Sequence, residues 1–108
     1  MSFEVYLQCF GETERRGLSS EAIRSLFPVS GPATDGTYWQ LSYDSLNSCD
    51  IDVGLLPSDS NRLTNLCVHR PCGDMRLWAS LYAILKMGSV VLFFPGGPPI
   101  LAERISPE

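Results

Sequence analysis

Residues 67–78 concentrate the groups in this chain that could carry chemistry. The only histidine, His69, lies two residues after Cys67 and three residues before Cys72, and Asp74 follows closely. Thiol, imidazole and carboxylate groups are common ligands of Zn²⁺, and a thiol beside an imidazole can act as a nucleophile. The spacing therefore brings two kinds of chemistry to one short segment.

Neither chemistry has the sequence pattern that usually supports it. The chain contains no Cys-x-x-Cys pair, and Cys67 and His69 fall in a segment that alternates like a β-strand. Pro71 separates His69 from Cys72, so the imidazole need not reach that thiol. We therefore assign no catalytic residue and no metal ligand. A small Cys/His-based enzyme or metal-dependent module centred on residues 67–74 stays as an alternative.

Two further acids, Asp50 and Asp52, are separated by one residue in a second alternating segment. Residues two apart on a strand point to the same face and lie about 7 Å apart. Paired carboxylates can catalyse glycoside hydrolysis or bind a hard cation. A chain of 108 residues offers no deep cleft for a sugar, so we interpret the pair as part of a solvated acidic face.

The glycine-rich segment at residues 95–99 follows a predicted strand, as phosphate-binding loops do. It lacks the Gly-Lys-Ser/Thr ending of such a loop, and its prolines prevent a helix from starting there. We interpret it as a turn and predict no cofactor.

Length and charge exclude several classes of function. The chain is 44% apolar, which is enough for one α+β domain over residues 1–108. Its net charge of −4 argues against nucleic-acid binding, which needs clustered Lys and Arg to displace counterions. The longest apolar run, residues 90–94, is too short to span a membrane, and residues 1–5 do not resemble a signal peptide. We expect a cytoplasmic protein with reduced thiols and no membrane partner.

A small set of strands and helices must position these residues. Period-two alternation predicts strands at residues 3–9, 37–44, 49–55, 63–70 and 90–94, whereas residues 11–17 have the composition of a polar turn. Apolar residues at helical spacing predict two helices, one capped by Ser19 or Ser20 and ended by Pro28, the other running from Asp74 to Met87. The order β-α-β-β-β-α-β predicts an α+β fold, with a mostly antiparallel sheet and both helices packed on one face.

This architecture leaves the second face of the sheet uncovered. By period two, that face carries a polar, aromatic and acidic set of side chains, to which Val91 and Phe93 add an apolar patch. The set comprises Glu4, Tyr6, Gln8, Tyr38, Gln40, Asp50, Asp52, Cys67 and His69. An uncovered face of this composition is typical of partner binding or dimerisation.

Several blocks resemble a family of small, functionally unassigned bacterial cytosolic proteins. They are MSFEVYL at positions 1–7, NSCDI at 47–51, HRPCGD at 69–74 followed by Trp78, and FPGG at 94–97. This resemblance covers most of the chain but implies no activity. In size and charge alone the chain is also similar to bacterial immunity proteins, which neutralise toxins by binding them.

The leading hypothesis is a non-enzymatic, cytosolic protein-binding module, in its most specific form an immunity-type inhibitor of a basic toxin. The predicted binding residues are Tyr6, Tyr38, Asp50, Asp52, His69, Arg70 and Arg76. Aromatic anchors in a desolvated patch usually dominate such interfaces. A self-associating structural protein, with the uncovered face as its dimer interface, is a second alternative.

Overall fold

The computed structural model describes residues 4–30, 37–94 and 99–100. Its elements in chain order are β1 (Glu4–Cys9), α1 (Glu12–Arg16), β2 (Leu18–Ser19), α2 (Ser20–Arg24), β3 (Val29–Ser30), β4 (Tyr38–Ser42), β5 (Ser48–Leu56), β6 (Asp59–His69), α3 (Met75–Leu85) and β7 (Val90–Phe93). The predicted α+β class is confirmed. Most of the turn predicted at residues 95–99 lies outside the described residues.

The strands form one antiparallel sheet. Six of them follow the order β3-β4-β5-β6-β1-β7, and β2 pairs with β6 beside this path. Every described pairing is antiparallel. The first strand in the chain, β1, lies between β6 and β7, so residues from the beginning of the chain stand next to residues more than fifty positions away.

One face of this sheet is covered by α2 and α3. Val5, Trp39, Ile51 and Val68 are register partners on this face, each at most 2% exposed, and they belong to the same buried cluster as Leu81 of α3. Ile23 of α2 joins that cluster. The prediction of a mostly antiparallel sheet is confirmed.

The predicted order and the predicted number of helices are wrong in detail. A third helix, α1, stands where the sequence indicated a polar turn. It buries no residue, and Glu12 pairs with Arg15 and Arg16 at 3.5 and 3.9 Å, so charge rather than an apolar stripe marks it. Strands β2 and β3 have two residues each, which is too short to show alternation.

The chain passes from the sheet to the helix layer through a short turn after β6. Arg70 adopts a left-handed φ of 51°, and Pro71 follows, so the strand ends at His69. Asp74 then caps α3 by accepting a hydrogen bond from the backbone N–H of Arg76 at 2.8 Å. We call residues 70–78 the α3 junction.

Candidate functional site

The candidate site is the face of the sheet that none of the described helices covers, which we call the open face. Its outward-pointing side chains are Glu4, Tyr6, Gln8, Tyr38, Gln40, Asp50, Asp52, Cys67, His69, Val91 and Phe93. Register places each of them on the side opposite the buried cluster, because the residues between them along each strand are the buried ones. The predicted composition of this face is therefore what the structure shows.

Strand register arranges these residues in two rows across the sheet. In the first row Glu4 lies opposite His69, and His69 lies opposite Asp50. In the second row Cys67 lies between Tyr6 and Asp52. That row continues to Tyr38 on one side and to Phe93 on the other.

His69 is held between two carboxylates. Its Nδ1 lies 2.5 Å from Glu4 Oε2, and its Nε2 lies 2.5 Å from Asp52 Oδ2. A carboxylate only accepts hydrogen bonds, so both ring nitrogens donate at once when the imidazole is protonated. The hydrogen bond to Asp52 raises the pKa of His69 most, the bond to Glu4 adds to this, and partial burial of the ring opposes both. The arrangement favours a positively charged ring at the centre of the open face.

Tyr6 extends this network on the side of Glu4. Its hydroxyl donates to Glu4 Oε1 at 2.8 Å, which raises the pKa of Tyr6 to about 12. The same bond, followed by the bond from His69, lowers the pKa of Glu4. Glu4 is therefore an ionised acceptor with both of its oxygens engaged.

Cys67 lies beside this network, and the pKa of its thiol is raised. Partial burial raises the pKa of its thiol, and the negative charge of Glu4 adds to the shift. His69 already donates to two carboxylates, so it is not a free base for this thiol. As arranged here, Cys67 and His69 do not form a nucleophile–base pair.

A second, smaller group lies along β4 and β5. A hydrogen bond between Tyr38 and Asp50 raises the pKa of the tyrosine, and Arg70 Nη2 lies 3.6 Å from Asp50 Oδ2. Arg70 is 75% exposed on its side chain. The left-handed backbone of this residue lets the guanidinium reach back over the end of the open face.

Arg76, the seventh predicted binding residue, is not part of this face. It lies in the α3 junction, where its Nε and Nη2 donate to the two oxygens of Asp74 at 2.9 and 2.7 Å. Its guanidinium also stacks over the ring of Tyr43, 5.0 Å from the ring centroid. Six of the seven predicted residues lie together on the open face. Arg76 instead holds Asp74, the N-cap residue of α3.

The residues of the predicted group at positions 67–74 lie on different sides of the sheet. Cys67 and His69 point to the open face, whereas Cys72 interacts with the buried Cys49 on the covered side. Asp74 is engaged by Arg76. The neighbour that sequence reasoning did not assign to His69 is Glu4, which is 65 positions away. Alternation along the strands predicted only that Glu4 and His69 point to the same face of the sheet.

Searches find no match to this chain among protein-family models, curated proteins or solved structures. The resemblance to small bacterial cytosolic proteins stays a prediction. None of the helices that the structure describes is long and apolar enough to cross a membrane. What the open face does must therefore be argued from its own geometry.

Proposed function

We propose that this protein is a non-enzymatic binding module whose open face binds the basic surface of a protein partner. The observation that carries the proposal is a set of exposed aromatic side chains on a rigid sheet: Tyr6 is 46% exposed, Tyr38 39% and Phe93 36%. They stand in one row across five strands, with Asp52 and Cys67 between Tyr38 and Tyr6.

The aromatic residues supply the apolar part of the interface. Tyr6 and Phe93 are direct cross-strand neighbours, and Tyr38 lies at the other end of the row. Large aromatic rings bury much area at a small cost in side-chain entropy, so such residues often dominate the binding free energy. A sheet face holds them in place before the partner arrives, which reduces the ordering cost of binding.

The charge of the open face selects the kind of partner. Asp52 is 53% exposed on its side chain, and Asp50 lies two residues away on the same strand. Together with Glu4 they outnumber His69 and Arg70, and the whole chain carries a net charge of −4. Complementary charge accelerates association with a basic protein and disfavours acidic ones.

In its most specific form the module is a cytoplasmic, immunity-type inhibitor that neutralises a basic toxin by covering it. Small size, acidic charge and a face that holds no activated nucleophile among the described residues support this form. A self-associating structural protein would use the same face against a second copy. The acidic charge of the open face favours the first form, because two acidic faces repel one another.

The test compares two double variants that remove the same charge. The wild-type chain captures proteins from a lysate of the source cells, the captured protein is identified, and its purified form is titrated calorimetrically. Asp50→Asn with Asp52→Asn is expected to weaken binding at least about tenfold, as loss of paired interface charges commonly does. Glu14→Gln with Glu21→Gln, on α1 and α2, is expected to leave the affinity unchanged.

A third variant, Tyr6→Ala with Phe93→Ala, examines the aromatic row. It is expected to slow association little and to speed dissociation strongly, because apolar anchors act mainly on the dissociation rate. If all three double variants capture the partner as well as the wild type does, the proposal is refuted. A different result would favour self-association instead. In that case the wild type captures no other protein but dimerises at high concentration, and Tyr6→Ala with Phe93→Ala abolishes the dimer.

A further inference from the structure

Three residues of the open face form a group with the composition of a metal site. One ligand atom each from Glu4, Cys67 and His69 lies within 4.8 Å of the others. Carboxylate oxygen, thiolate sulfur and imidazole nitrogen are the three ligand types that Zn²⁺ takes in proteins, usually in a tetrahedral arrangement. The group is assembled from two strands that the sequence does not place side by side.

The backbone fixes these three residues relative to one another. Cys67 and His69 are two apart on β6, so both point to the open face. Glu4, the first residue of β1, lies directly opposite His69, the last residue of β6, as the end pair of a continuous antiparallel pairing that also places Tyr6 opposite Cys67. Ligands on paired strands keep their positions better than ligands on loops, which lowers the cost of assembling the site.

The surrounding residues fix the orientation of the His69 and Glu4 side chains. Asp52 Oδ2 accepts from Nε2 of His69, which leaves Nδ1 on the side of Glu4. A carboxylate behind the far nitrogen of a ligating histidine is the usual partner in protein zinc sites, since it fixes the ring and increases its basicity. Tyr6 similarly holds Glu4 Oε1, while Oε2 faces His69.

We propose that Glu4, Cys67 and His69 bind one Zn²⁺ ion through a carboxylate oxygen, Sγ and Nδ1, with Asp52 as the positioning residue behind His69. Binding releases the thiol proton of Cys67 and the Nδ1 proton of His69 to solvent. The carboxylate and the thiolate then balance the two positive charges of the ion. Three protein ligands leave a fourth position for water or for an anionic group of another molecule.

The proposal goes beyond partner binding and does not depend on it. It is tested on the whole chain alone, after removal of metals with a chelator, by dialysis against Zn²⁺ and measurement of bound metal. One ion per chain is expected. Replacement by Co²⁺ is expected to give the near-ultraviolet charge-transfer absorption that only a thiolate ligand produces.

Single variants assign the ligands. Cys67→Ser is expected to abolish the charge-transfer absorption, and His69→Gln and Glu4→Gln to reduce the Zn²⁺ affinity at least about tenfold. Asp52→Asn is expected to keep the absorption but weaken binding about 10–100-fold, the usual effect of losing a group behind a metal ligand. Cys72→Ser is the matched control: it removes a thiol from the covered side and is expected to change neither measurement.

Two results would overturn the metal site. One is a wild-type chain that retains no stoichiometric Zn²⁺ or shows no thiolate absorption with Co²⁺. The other is binding that Cys72→Ser removes and Cys67→Ser leaves intact. Circular dichroism of each variant establishes that it is folded, and the wild-type Co²⁺ spectrum decides the question even if one variant does not fold. None of these readings requires a protein partner, so the metal site and the binding function can fail separately.

Discussion

The open face and the α3 junction each hold acidic groups next to a positive charge, but the two regions are built differently. In the α3 junction Asp74 and Arg76 are two residues apart, and their bonds cap a helix. On the open face His69 is bonded to residues 65 and 17 positions away, and these bonds link β6 to β1 and β5. The first cluster stabilises the start of a helix, whereas the second joins three strands through side chains that face away from the core. This contrast is why we place function on the open face.

The largest expected difference between the two sides of the sheet is in stability. Leu81 of α3 is 1% exposed, so Leu81→Ala leaves a cavity and is expected to cost about 2–5 kcal/mol of unfolding free energy. Tyr38→Ala removes a ring that is 39% exposed and is expected to cost much less. Urea denaturation of both variants gives the comparison. Equal losses would mean that the open face is part of the structural core.

The α3 junction is expected to respond to acid. Hydrogen bonds from the Arg76 side chain and backbone lower the pKa of Asp74 to about 2. A carboxyl with a depressed folded-state pKa stabilises the protein above its unfolded value, near 4, and loses that contribution as the pH falls toward 2. Asp74→Asn keeps a good N-cap but removes the charge, so it is expected to flatten this part of the stability curve.

Thermal unfolding of the wild type and of Asp74→Asn between about pH 5 and 2 measures this effect. Arg76→Gln, which removes the guanidinium and keeps both the acid and the backbone N–H, is expected to flatten the curve in part. A difference between wild type and Asp74→Asn that stays constant over this range would show that the ion pair contributes nothing to the cap.

The contribution of the open face to stability is expected to change with pH in the opposite direction. The pKa of His69 is raised by Asp52 and Glu4, so its contribution is fully present below its unfolded pKa of about 6.5 and is lost as the pH rises through the folded value. Asp50 and Arg70 are the other charged groups at its end of the face. In chelator-treated protein, the stability of wild type relative to His69→Gln should fall as the pH rises above the unfolded value of about 6.5.

Nuclear magnetic resonance titration of the imidazole checks the cause of this change. Asp52→Asn removes the first of the two carboxylates and is expected to lower the pKa of His69. Glu21→Gln, on α2, is expected to leave it unchanged. A His69 titration that is identical in wild type and Asp52→Asn would contradict the clamped geometry.

The smallest expected effect concerns the hydrogen bond from the Tyr6 hydroxyl to Glu4, tested without removing the aromatic ring. Tyr6→Phe keeps the ring but removes the hydroxyl that donates to Glu4. Its stability should be close to that of the wild type, because the bond is exposed. The pKa of Glu4 should rise toward its ordinary value, since this bond is the largest cause of its lowering. Carboxyl chemical shifts followed against pH measure the change, and an unshifted Glu4 would place the hydroxyl elsewhere.

Local patterns predicted the parts of the fold that short-range physics controls. Alternation identified which face each of the long strands buries, and it therefore placed Glu4, Asp52, Cys67 and His69 on one side of the sheet. Asp74 was recognisable because capping is a contact between a side chain and a backbone N–H two residues on. Helix α1 was missed because it buries nothing, and β2 and β3 because two residues carry no period.

The sequence by itself determined the composition of the two faces, because the side-chain period of a strand is a property of its own backbone. Tertiary structure decided which strands are neighbours, since that depends on how α2 and α3 cover the sheet and where β1 inserts. Only the insertion of β1 between β6 and β7 brings Glu4 to His69, and only the turn after His69 sends Cys72 and Arg76 to the other side. Pairing between residues 65 positions apart depends on the fold of the whole chain, so no local sequence pattern predicts it.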